Sequence, residues 1–336
     1  MPTAAVIGCG DISIVHFEAL ASLGIELVAV CDVDLGLARA TAERYGVPSF
    51  TDHNALIDEV RPDVVHVCTP HHQHVPVAVD ALERGVHVLT EKPLSHSLAE
   101  GQRLVDASRR SPAKIGVCFQ NRYNLANRAM SDLLSSGELG PVQGASASVA
   151  WHRSADYYRA KPWRGTWDQS GGGLLINQAI HTVDLLQWLL GEVMQVRGRA
   201  ATHVLGDVIE VEDTAELVLD HAGGVRSVLY ATLANAVNSP VMVEVMTDAA
   251  TLTMRGDLTV TYTDGRVEVV RERQAASGGR AYWGLSHQLL IQDFYDRLGE
   301  PGPFWIDPAE AAKSLRILKS VYAQSDGLGY REPADV

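Results

Sequence analysis

Three polar residues at helical spacing are the first candidates for chemistry in this sequence. Asn177, His181 and Asp184 are separated by four and then three positions, so a helix through this segment would place them on one face. The run Gly171–Gly173 precedes them, and residues without a Cβ atom let another backbone or a ligand approach the start of the helix. The same spacing also fits a buried polar cluster whose members bond to one another. Spacing alone leaves both interpretations open.

A second candidate is the motif Glu91-Lys92-Pro93, which follows an apolar run at residues 86–90. If that run is a strand of an open parallel sheet, Lys92 lies at the carboxyl edge of the sheet, where ligands bind. A lone lysine at a strand end can equally be a solvated surface charge.

A glycine loop near the N-terminus predicts a dinucleotide site. Gly8–Ile12 follows an apolar run and opens a helical pattern, so the backbone can turn sharply beside a pyrophosphate whose charge the helix amides face. Ser13 stands where the usual motif has its third glycine. Asp32 ends the next apolar run and can accept hydrogen bonds from both adenosine ribose hydroxyls while repelling a 2′-phosphate. Together these features predict NAD binding, with NADP disfavoured.

The first 120 residues alternate apolar runs with helical patterns. The runs are too continuous for strands with one solvated face, so they predict strands buried on both sides. They lie at residues 4–8, 25–31, 63–68, 86–90 and 115–119. Alternation with helices then predicts a doubly wound parallel sheet. In the helices, Gly24 is expected to end the first, Pro76 to lie in the first turn of the fourth, and Ser97 to cap the next.

From about residue 142 the pattern becomes that of an antiparallel sheet. Runs at 211–219 and 225–233 flank the turn Asp220–Gly224. Further strand-like runs follow at 241–246, 252–254, 258–262 and 267–270. Apolar residues occupy both faces of the 225–233 run, so helices should cover one face and a second subunit is a candidate for the other. Two helices are expected at about 283–299 and 308–325, the second capped by Asp307.

Composition excludes several classes of protein. The 336 residues allow two domains, and 28 basic against 41 acidic residues, a net charge of −13, disfavour nucleic acid and anionic membrane surfaces as partners. The sequence has no run of about 18 apolar residues, so no membrane span is predicted, and no signal peptide is expected at its start.

The cysteines are scattered singly, which predicts reduced thiols and a cytoplasmic location. They are Cys9, Cys31, Cys68 and Cys118. His71, His72 and His74 are clustered in sequence, whereas most catalytic zinc sites need three well-separated protein ligands, so no metal site is predicted.

Several motifs spread over essentially the whole chain carry a family resemblance. They are Gly8-Cys9-Gly10, Thr69-Pro70 with His74, Glu91-Lys92-Pro93, Asn121-Arg122-Tyr123, Trp163-Arg164, Gly171–Gly173 with His181 and Asp184, and His287 with Asp293-Phe294. Together they resemble the glucose–fructose oxidoreductase / inositol dehydrogenase / MocA (Gfo/Idh/MocA) family. The resemblance implies an NAD(P)-binding Rossmann domain at 1–121 and a substrate-binding and oligomerisation α/β domain at 122–336. The second domain would contain an open, predominantly antiparallel sheet, with the last helices packing back on the first domain.

The resemblance also implies a cis Lys92–Pro93 peptide and places Lys92 and His181 beside the nicotinamide and the substrate hydroxyl. Oxidation of a secondary alcohol needs a base for the hydroxyl proton, which suits His181, while Lys92 would stabilise the developing alkoxide. Many members carry Asp where this chain has Asn177, which can orient His181 but brings no charge. Branches that resemble UDP-sugar 3-dehydrogenases also carry Asn.

The predicted contacts fall into two groups. The cofactor contacts are Gly8, Cys9, Gly10, Asp11, Ile12, Asp32, Thr69, Pro70, His71, His74, Glu91 and Lys92. The substrate contacts are Lys92, Asn121, Tyr158, Arg164, Asn177, His181, Asp184 and His287.

The implied activity is NAD-dependent oxidation of a secondary ring hydroxyl of a sugar, a sugar derivative such as a UDP-sugar, or inositol. The implied assembly is a homodimer or homotetramer formed through the sheet of the second domain. Two alternatives stay open: an NAD-dependent glycosidase that oxidises its substrate transiently and then eliminates, and a non-catalytic cofactor-sensing regulator. Retention of Lys92 and His181 argues against the regulator, which needs neither residue.

Overall fold

The computed structural model describes residues 2–272 and 281–330, without the side chains of 281–284. Its contacts divide the chain into two units. The first comprises Met1–Gln120 and Gln274–Ala312, and the second comprises Asn121–Arg273 and Lys313–Val336. Within the described ranges, none of the helices is both long and apolar enough to cross a membrane.

The first unit contains a six-stranded sheet in the order β3-β2-β1-β4-β5-β6, with every neighbouring pair parallel. The strands are β1 (Thr3–Ile7), β2 (Glu26–Cys31), β3 (Ser49–Phe50), β4 (Val64–Val67), β5 (His87–Thr90) and β6 (Ile115–Val117). This confirms the doubly wound parallel sheet. The sequence analysis missed β3 because two residues are too few to form an apolar run.

Helices connect these strands in alternation. They are α1 (Ser13–Leu23), α2 (Leu35–Tyr45), α3 (His53–Val60), α4 (His71–Glu83) and α5 (Leu98–Arg110). Gly24 ends α1 with φ 67°, and the Ser97 hydroxyl caps α5 by accepting from the Glu100 amide at 3.2 Å, as expected. The position of Pro76 differs from the prediction. Because α4 begins directly after Pro70, Pro76 lies in its interior, beyond the first turn.

The second unit contains an eight-stranded sheet in the order β14-β13-β12-β11-β7-β10-β9-β8. The strands are β7 (Val142–Ala150), β8 (Val193–Ala201), β9 (Thr214–His221), β10 (Arg226–Thr232), β11 (Met242–Thr247), β12 (Ala250–Arg255), β13 (Asp257–Tyr262) and β14 (Val267–Val270). The β7–β10 pair is parallel and the other pairs are antiparallel, which confirms an open, predominantly antiparallel sheet. The sequence analysis missed β7 and β8, because alternating Ala and Ser in β7 and two arginines in β8 dilute the apolar signal.

Along the chain, one α-helix of the second unit precedes β7, and further helical segments lie between β7 and β8. They are α6 (Leu125–Ser136), α7 (Ala155–Arg159), α8 (Trp167–Ser170), a π-helical segment (Leu175–Ala179) and α9 (Ile180–Leu190). The two last helices are α10 (Ala281–Asp296), in the first unit, and α11 (Pro308–Gln324), whose residues from Lys313 onward belong to the second. Asp307 caps α11 by accepting from the Glu310 amide at 2.8 Å, as predicted.

Candidate active site

The glycine loop is held tightly between two strands. The Gly8 amide donates to the Cys31 carbonyl oxygen at 2.7 Å, and φ of Gly8 is 94°. A Cβ atom at Gly8 would lie 2.6 Å from the carbonyl carbon and oxygen of Cys68, which is closer than atoms can approach. The turn after β1 therefore requires glycine, as a loop that brings its backbone against a pyrophosphate does.

Asp32 lies beside this loop. One carboxylate oxygen accepts from the Cys9 amide at 2.8 Å and the other from the Asp34 amide at 2.9 Å. Asp34 itself caps α2 by accepting from the Gly36 and Leu37 amides. The loop and the half-buried Asp32 carboxylate thus form the arrangement that a dinucleotide site needs, and the residues present fit that cofactor.

Lys92 follows β5, at the carboxyl edge of the parallel sheet, and its peptide bond to Pro93 is cis, which confirms the isomer implied by the resemblance. The side chain of the preceding Glu91 is buried, and Oε2 accepts from the Lys92 amide at 3.2 Å. Oε1 of Glu91 lies 3.2 Å from His16 Nε2 and 3.1 Å from His287 Nε2. Burial alone would raise the pKa of Glu91, but hydrogen bonds from these two histidines outweigh it and hold the pKa well below its usual range.

The chain of buried groups extends further. His16 Nδ1 lies 2.8 Å from His66 Nδ1, and His66 Nε2 lies 2.9 Å from the Tyr295 hydroxyl. Burial lowers the pKa of both His16 and His66, so both rings are neutral. Because Glu91 accepts, His16 carries its proton on Nε2, His66 donates from Nδ1, and the Tyr295 hydroxyl donates to His66 Nε2. The ligand-type atoms of His16, Glu91 and Cys118 also lie within 4.8 Å of one another, but hydrogen bonds already account for His16 and Glu91.

His74 connects the end of β4 to the loop that carries Lys92. Its Nδ1 lies 2.8 Å from the Pro93 carbonyl oxygen and its Nε2 lies 3.0 Å from the Thr69 carbonyl oxygen. Both ring nitrogens therefore face backbone of the protein itself, and His74 supports the Lys92 loop. The buried Thr69 hydroxyl oxygen has no hydrogen-bond partner among the residues that the structure describes, which leaves it able to bind a ligand.

In the second unit, the predicted helix through Asn177 and His181 is present but is not uniformly α-helical. The π-helical segment passes into α9 at Ile180, so the angle between Asn177 and His181 about the axis differs from that of an α-helix. From residue 170 to residue 187, every side chain is buried except those of Asn177 and His181, which are half-buried. These two polar residues are thus the ones through which an otherwise buried helix reaches the surface of its unit.

Asp184 has a different environment. Its carboxylate forms a bidentate pair with Arg122, at 2.8 Å to Nε and 2.7 Å to Nη2, and both side chains are 1% exposed. The Ser314 hydroxyl donates to the same carboxylate at 3.2 Å. The three polar residues of the sequence pattern therefore differ in environment. Asp184 is buried in an ion pair, whereas Asn177 and His181 remain accessible.

An aromatic and cationic cluster lies around α7. The Arg164 guanidinium carbon is 4.3 Å from the ring centroid of Tyr157 and 5.8 Å from that of Trp163. Tyr158 is buried, which raises the pKa of its hydroxyl, and that oxygen has no hydrogen-bond partner within the described part of the chain. A buried hydroxyl of this kind is suited to a ligand hydroxyl.

The predicted contacts differ in exposure. Among the cofactor contacts, Gly10, Asp11, Ile12, Asp32, Thr69, Pro70 and Lys92 reach the surface at least in part, whereas Gly8, Cys9, His71, His74 and Glu91 are buried. Among the remaining substrate contacts, Asn121, Arg164, Asn177 and His181 reach the surface at least in part, whereas Tyr158, Asp184 and His287 are buried. The ligand roles of these residues stay predictions.

Sequence reasoning missed two features that support the site. The first is the His16–His66 pair, for which a histidine within the apolar run at 63–68 is a usable signal. The second is Glu212, whose carboxylate bonds to the start of the helix that bears His181; a glutamate directly after Val211 at the edge of an apolar run is its signal.

A Rossmann unit with a dinucleotide loop, together with a unit built on an open mixed sheet, defines a class of nucleotide-dependent oxidoreductases. Two family models match this chain: the oxidoreductase family with an NAD-binding Rossmann fold over residues 3–119, and the GFO/IDH/MocA C-terminal domain over residues 127–253. The inositol 2-dehydrogenase of Rubrobacter xylanophilus is 30% identical over 254 residues, covering 74% of this chain and 69% of that protein. The chain belongs to the Gfo/Idh/MocA oxidoreductase family.

Other relatives agree with this membership. The D-glucoside 3-dehydrogenase of Escherichia coli is 33% identical over 193 residues, which cover 56% of this chain and 53% of that protein. The chain thus spans only about half the length of that relative. The structure of the WlbA dehydrogenase from Bordetella pertussis, in complex with NADH and UDP-GlcNAcA, is 27% identical with a TM-score of 0.83, covering 100% of this chain and 99% of that one. Levoglucosan dehydrogenase, at 21% identity, 99% and 100% coverage and a TM-score of 0.87, shares the fold.

Proposed function

We propose that this protein is an NAD-dependent dehydrogenase that oxidises a secondary ring hydroxyl of a sugar, a sugar derivative such as a UDP-sugar, or inositol. Residues 1–121 would bind the cofactor and residues 122–336 the substrate. The observation that carries the proposal is the exposure of Asn177 and His181 on a segment whose other side chains are buried. Relatives named inositol 2-dehydrogenase and D-glucoside 3-dehydrogenase support the substrate class, as does the 27% identical WlbA dehydrogenase solved with NADH and UDP-GlcNAcA.

The cofactor would be held by the glycine loop, Asp32 and the Thr69 hydroxyl. Bound NAD supplies the hydride acceptor for the alcohol carbon. Gly8 keeps the loop backbone close to the phosphates, and Asp32 accepts from the ribose hydroxyls while remaining bonded to the Cys9 amide.

The protein's own residues would manage the hydroxyl proton. His181 removes it, and Asn177 orients the imidazole through a hydrogen bond. Lys92 donates a hydrogen bond to the same substrate oxygen and stabilises the negative charge that develops on it. Glu91 and His74 hold the loop of Lys92 from two sides, through its amide and through the Pro93 carbonyl. These assignments follow the family resemblance and are supported by the geometry within each unit.

A panel of polyols, aldoses and UDP-sugars with NAD, followed by NADH absorbance, tests the proposal. We expect net NADH formation with at least one ring alcohol and none with the His181→Ala variant. Release of an aglycone without net NADH would instead indicate the glycosidase, and cofactor binding without turnover of any substrate would indicate the regulator.

We also propose that the second unit assembles into a homodimer or homotetramer through its sheet. Strand register places Val228 and Tyr230 of β10 opposite Ser146 and Ser148 of β7, on the face away from the buried Leu229. Val228 is 44% and Tyr230 50% exposed. On the same face, Val218 of β9 lies opposite Val228, whereas Glu216 lies opposite Tyr230 and Glu244 opposite Ser146. Val218, Val228 and Tyr230 thus form an apolar patch bordered by carboxylates, which suits contact with a second copy of the same sheet.

A cytoplasmic location is proposed on the chemistry of the cysteines. All four are buried free thiols, and burial raises the pKa of Cys9 to about 11 and of Cys31 to about 12, which keeps both protonated. Unpaired cysteines are usual in proteins of a reducing compartment.

A further inference from the structure

Glu212 lies two residues before the start of β9 and is 0% exposed. Its Oε2 accepts from the Gly173 amide at 2.8 Å, and its Oε1 accepts from the Leu175 amide and the Tyr322 hydroxyl, each at 2.8 Å. Its backbone carbonyl oxygen accepts from the Leu174 amide at 3.1 Å. One residue thus accepts hydrogen bonds from three successive amides of the chain.

These amides belong to the start of the helix that carries Asn177 and His181. The first turn of a helix has amides without intrahelical partners, and in a buried position water cannot supply them. A carboxylate at this end is also favoured by the helix dipole. Glu212 therefore accepts hydrogen bonds from the amides at the helix start, as a capping side chain does in other helices. Unlike a capping residue, it comes from a distant part of the sequence.

The glycines before the helix make this contact sterically feasible. A Cβ atom at Gly173 would overlap the Glu212 carbonyl oxygen, and one at Gly172, where φ is 153°, would overlap the Tyr322 hydroxyl. The glycine run that the sequence analysis assigned to the approach of a backbone or a ligand thus admits the Glu212 backbone and the Tyr322 side chain.

Several titratable groups of the second unit lie around Glu212. The buried Lys319 ammonium donates to the Gly171 carbonyl oxygen at 2.8 Å, the hydroxyls of Tyr158 and Tyr322 interact electrostatically with Glu212, and Asp213 follows it in sequence. The ring of Tyr330 adjoins both Lys319 and Tyr322. Burial raises the pKa of Glu212 to about 7, against the hydrogen bonds from Leu175, Tyr322 and Gly173, which favour the carboxylate. Burying an ionisable carboxyl here carries an electrostatic cost, and the three donors at its two oxygens offset part of that cost.

We propose that Glu212 is a positioning residue, which holds the start of the helix so that Asn177 and His181 keep one orientation. Its kinetic consequence rests on the proposed dehydrogenase function, whereas its effect on the helix does not.

Replacement by glutamine tests the role because it preserves size and removes one acceptor. An amide has one oxygen and one NH₂ group, so the variant can still accept from Leu175 and Tyr322 but then turns its NH₂ toward the Gly173 amide. A buried amide left without an acceptor loosens the helix start. Glu138→Gln, at an exposed position of the same unit, is the matched control.

The kinetic measurement uses the full-length protein with NAD and the best ring alcohol of the panel. For Glu212→Gln we expect kcat to fall by roughly 10- to 100-fold per folded molecule, because small misplacement of a base has effects of this size. The KM for NAD should stay within about twofold, since an effect confined to helix orientation does not alter cofactor binding. Glu138→Gln should match the wild type. A wild-type kcat in Glu212→Gln would overturn the proposal.

Hydrogen exchange supplies the readout that does not depend on activity. Amides of residues 173–181 should exchange about tenfold faster in Glu212→Gln, which corresponds to the loss of one buried hydrogen bond, with unchanged exchange in α4. Tyr322→Phe removes one hydrogen-bond donor to Glu212 without adding atoms, and amides 173–181 should exchange faster in it, by a smaller factor. This variant tests the role of Glu212 if Glu212→Gln does not fold. Unchanged exchange in these variants would refute the role of Glu212, whereas absent dehydrogenase activity in the wild type would refute the proposed function alone.

Discussion

At the scale of single residues, Asp32 is expected to set the choice between NAD and NADP. Its carboxylate is fixed against the glycine loop by the Cys9 and Asp34 amides, so it cannot turn away from a 2′-phosphate without breaking these hydrogen bonds. Repulsion between like charges in such a site amounts to ~1–3 kcal/mol, or roughly ten- to a hundredfold in affinity.

Fluorescence titration with NADH and NADPH measures this preference. The wild type should bind NADH more tightly, and Asp32→Asn should lose most of the difference. Asp52→Asn, which alters a carboxylate that caps α3 in the same unit, should retain it. Equal or tighter binding of NADPH by the wild type would contradict the role of Asp32.

Lys92 is the second residue whose side chain can be tested alone. Its place after β5, on a loop held by Glu91 and His74, fits a group that stabilises charge on the substrate oxygen. Lys92→Ala should lower kcat by roughly 10²–10³ and leave NAD affinity within a few-fold. Steady-state kinetics and cofactor titration on the same preparation separate the two quantities. Near-normal turnover in the alanine variant would contradict this role and indicate that Lys92 is a solvated surface charge.

At the scale of elements, the segment from Leu175 through α9 determines how Asn177 and His181 relate. If His181 is the base, kcat/KM for oxidation should rise with pH through an apparent pKa in the histidine range. The His181→Ala variant should lose this rising limb of the pH profile together with most of the activity. A carboxylate in place of Asn177 favours the protonated imidazole, so Asn177→Asp should move the limb to higher pH by roughly one unit.

The pH profiles of the wild type and the two variants are the measurement. Retention of the limb in His181→Ala would assign the proton to another group, such as Lys92 or Tyr158. An unshifted limb in Asn177→Asp alone would mean that the change from π-helical to α-helical turns separates the two side chains.

Glu212, which anchors the start of this helix, should make the stability of the protein depend on pH. Because the pKa of Glu212 is raised to about 7, the folded protein retains a proton between pH 4.5 and about 7 that the unfolded chain releases. The contribution to stability is therefore full below pH 4.5 and is lost as pH rises through about 7, by an amount of about 3 kcal/mol.

Urea unfolding at about pH 5 and about pH 8 measures the change in the free energy of unfolding. The wild type should lose more stability over this interval than Glu212→Gln, whose side chain does not titrate. Glu138→Gln should behave as the wild type. Equal pH dependence in the wild type and Glu212→Gln would show that Glu212 ionises with an ordinary pKa.

At the scale of the whole molecule, the exposed face of the second sheet is expected to join subunits. A lysine in place of Val228 or Tyr230 would bring like charges together across a symmetric contact and should convert the assembly into smaller species. Val33→Lys is the matched control, since Val33 is 92% exposed in the first unit. Light scattering coupled to size-exclusion chromatography gives the mass of each variant. A monomeric wild type, or unchanged mass in both sheet variants, would contradict the assembly through this face.

Features that depend on neighbours along the chain could be predicted from the amino-acid sequence. Continuous apolar runs between helical patterns predicted the parallel sheet, and Ser97 and Asp307 predicted the starts of α5 and α11, because periodicity and capping involve residues a few positions apart. The glycine loop and Asp32 predicted the cofactor class for the same reason: the loop between a strand and a helix has a nearly invariant geometry.

Which polar residues face the interior depends on contacts between distant segments and could not be predicted from local spacing. Asn177, His181 and Asp184 looked equivalent in spacing, yet Asp184 is paired with Arg122 from a distant segment and the other two are not buried. Glu212 reaches the helix of His181 in the same way, across a long stretch of sequence. A buried polar group is stabilised by whichever partner the packing brings within hydrogen-bond distance, and that partner is set by the arrangement of whole elements, which local spacing does not encode.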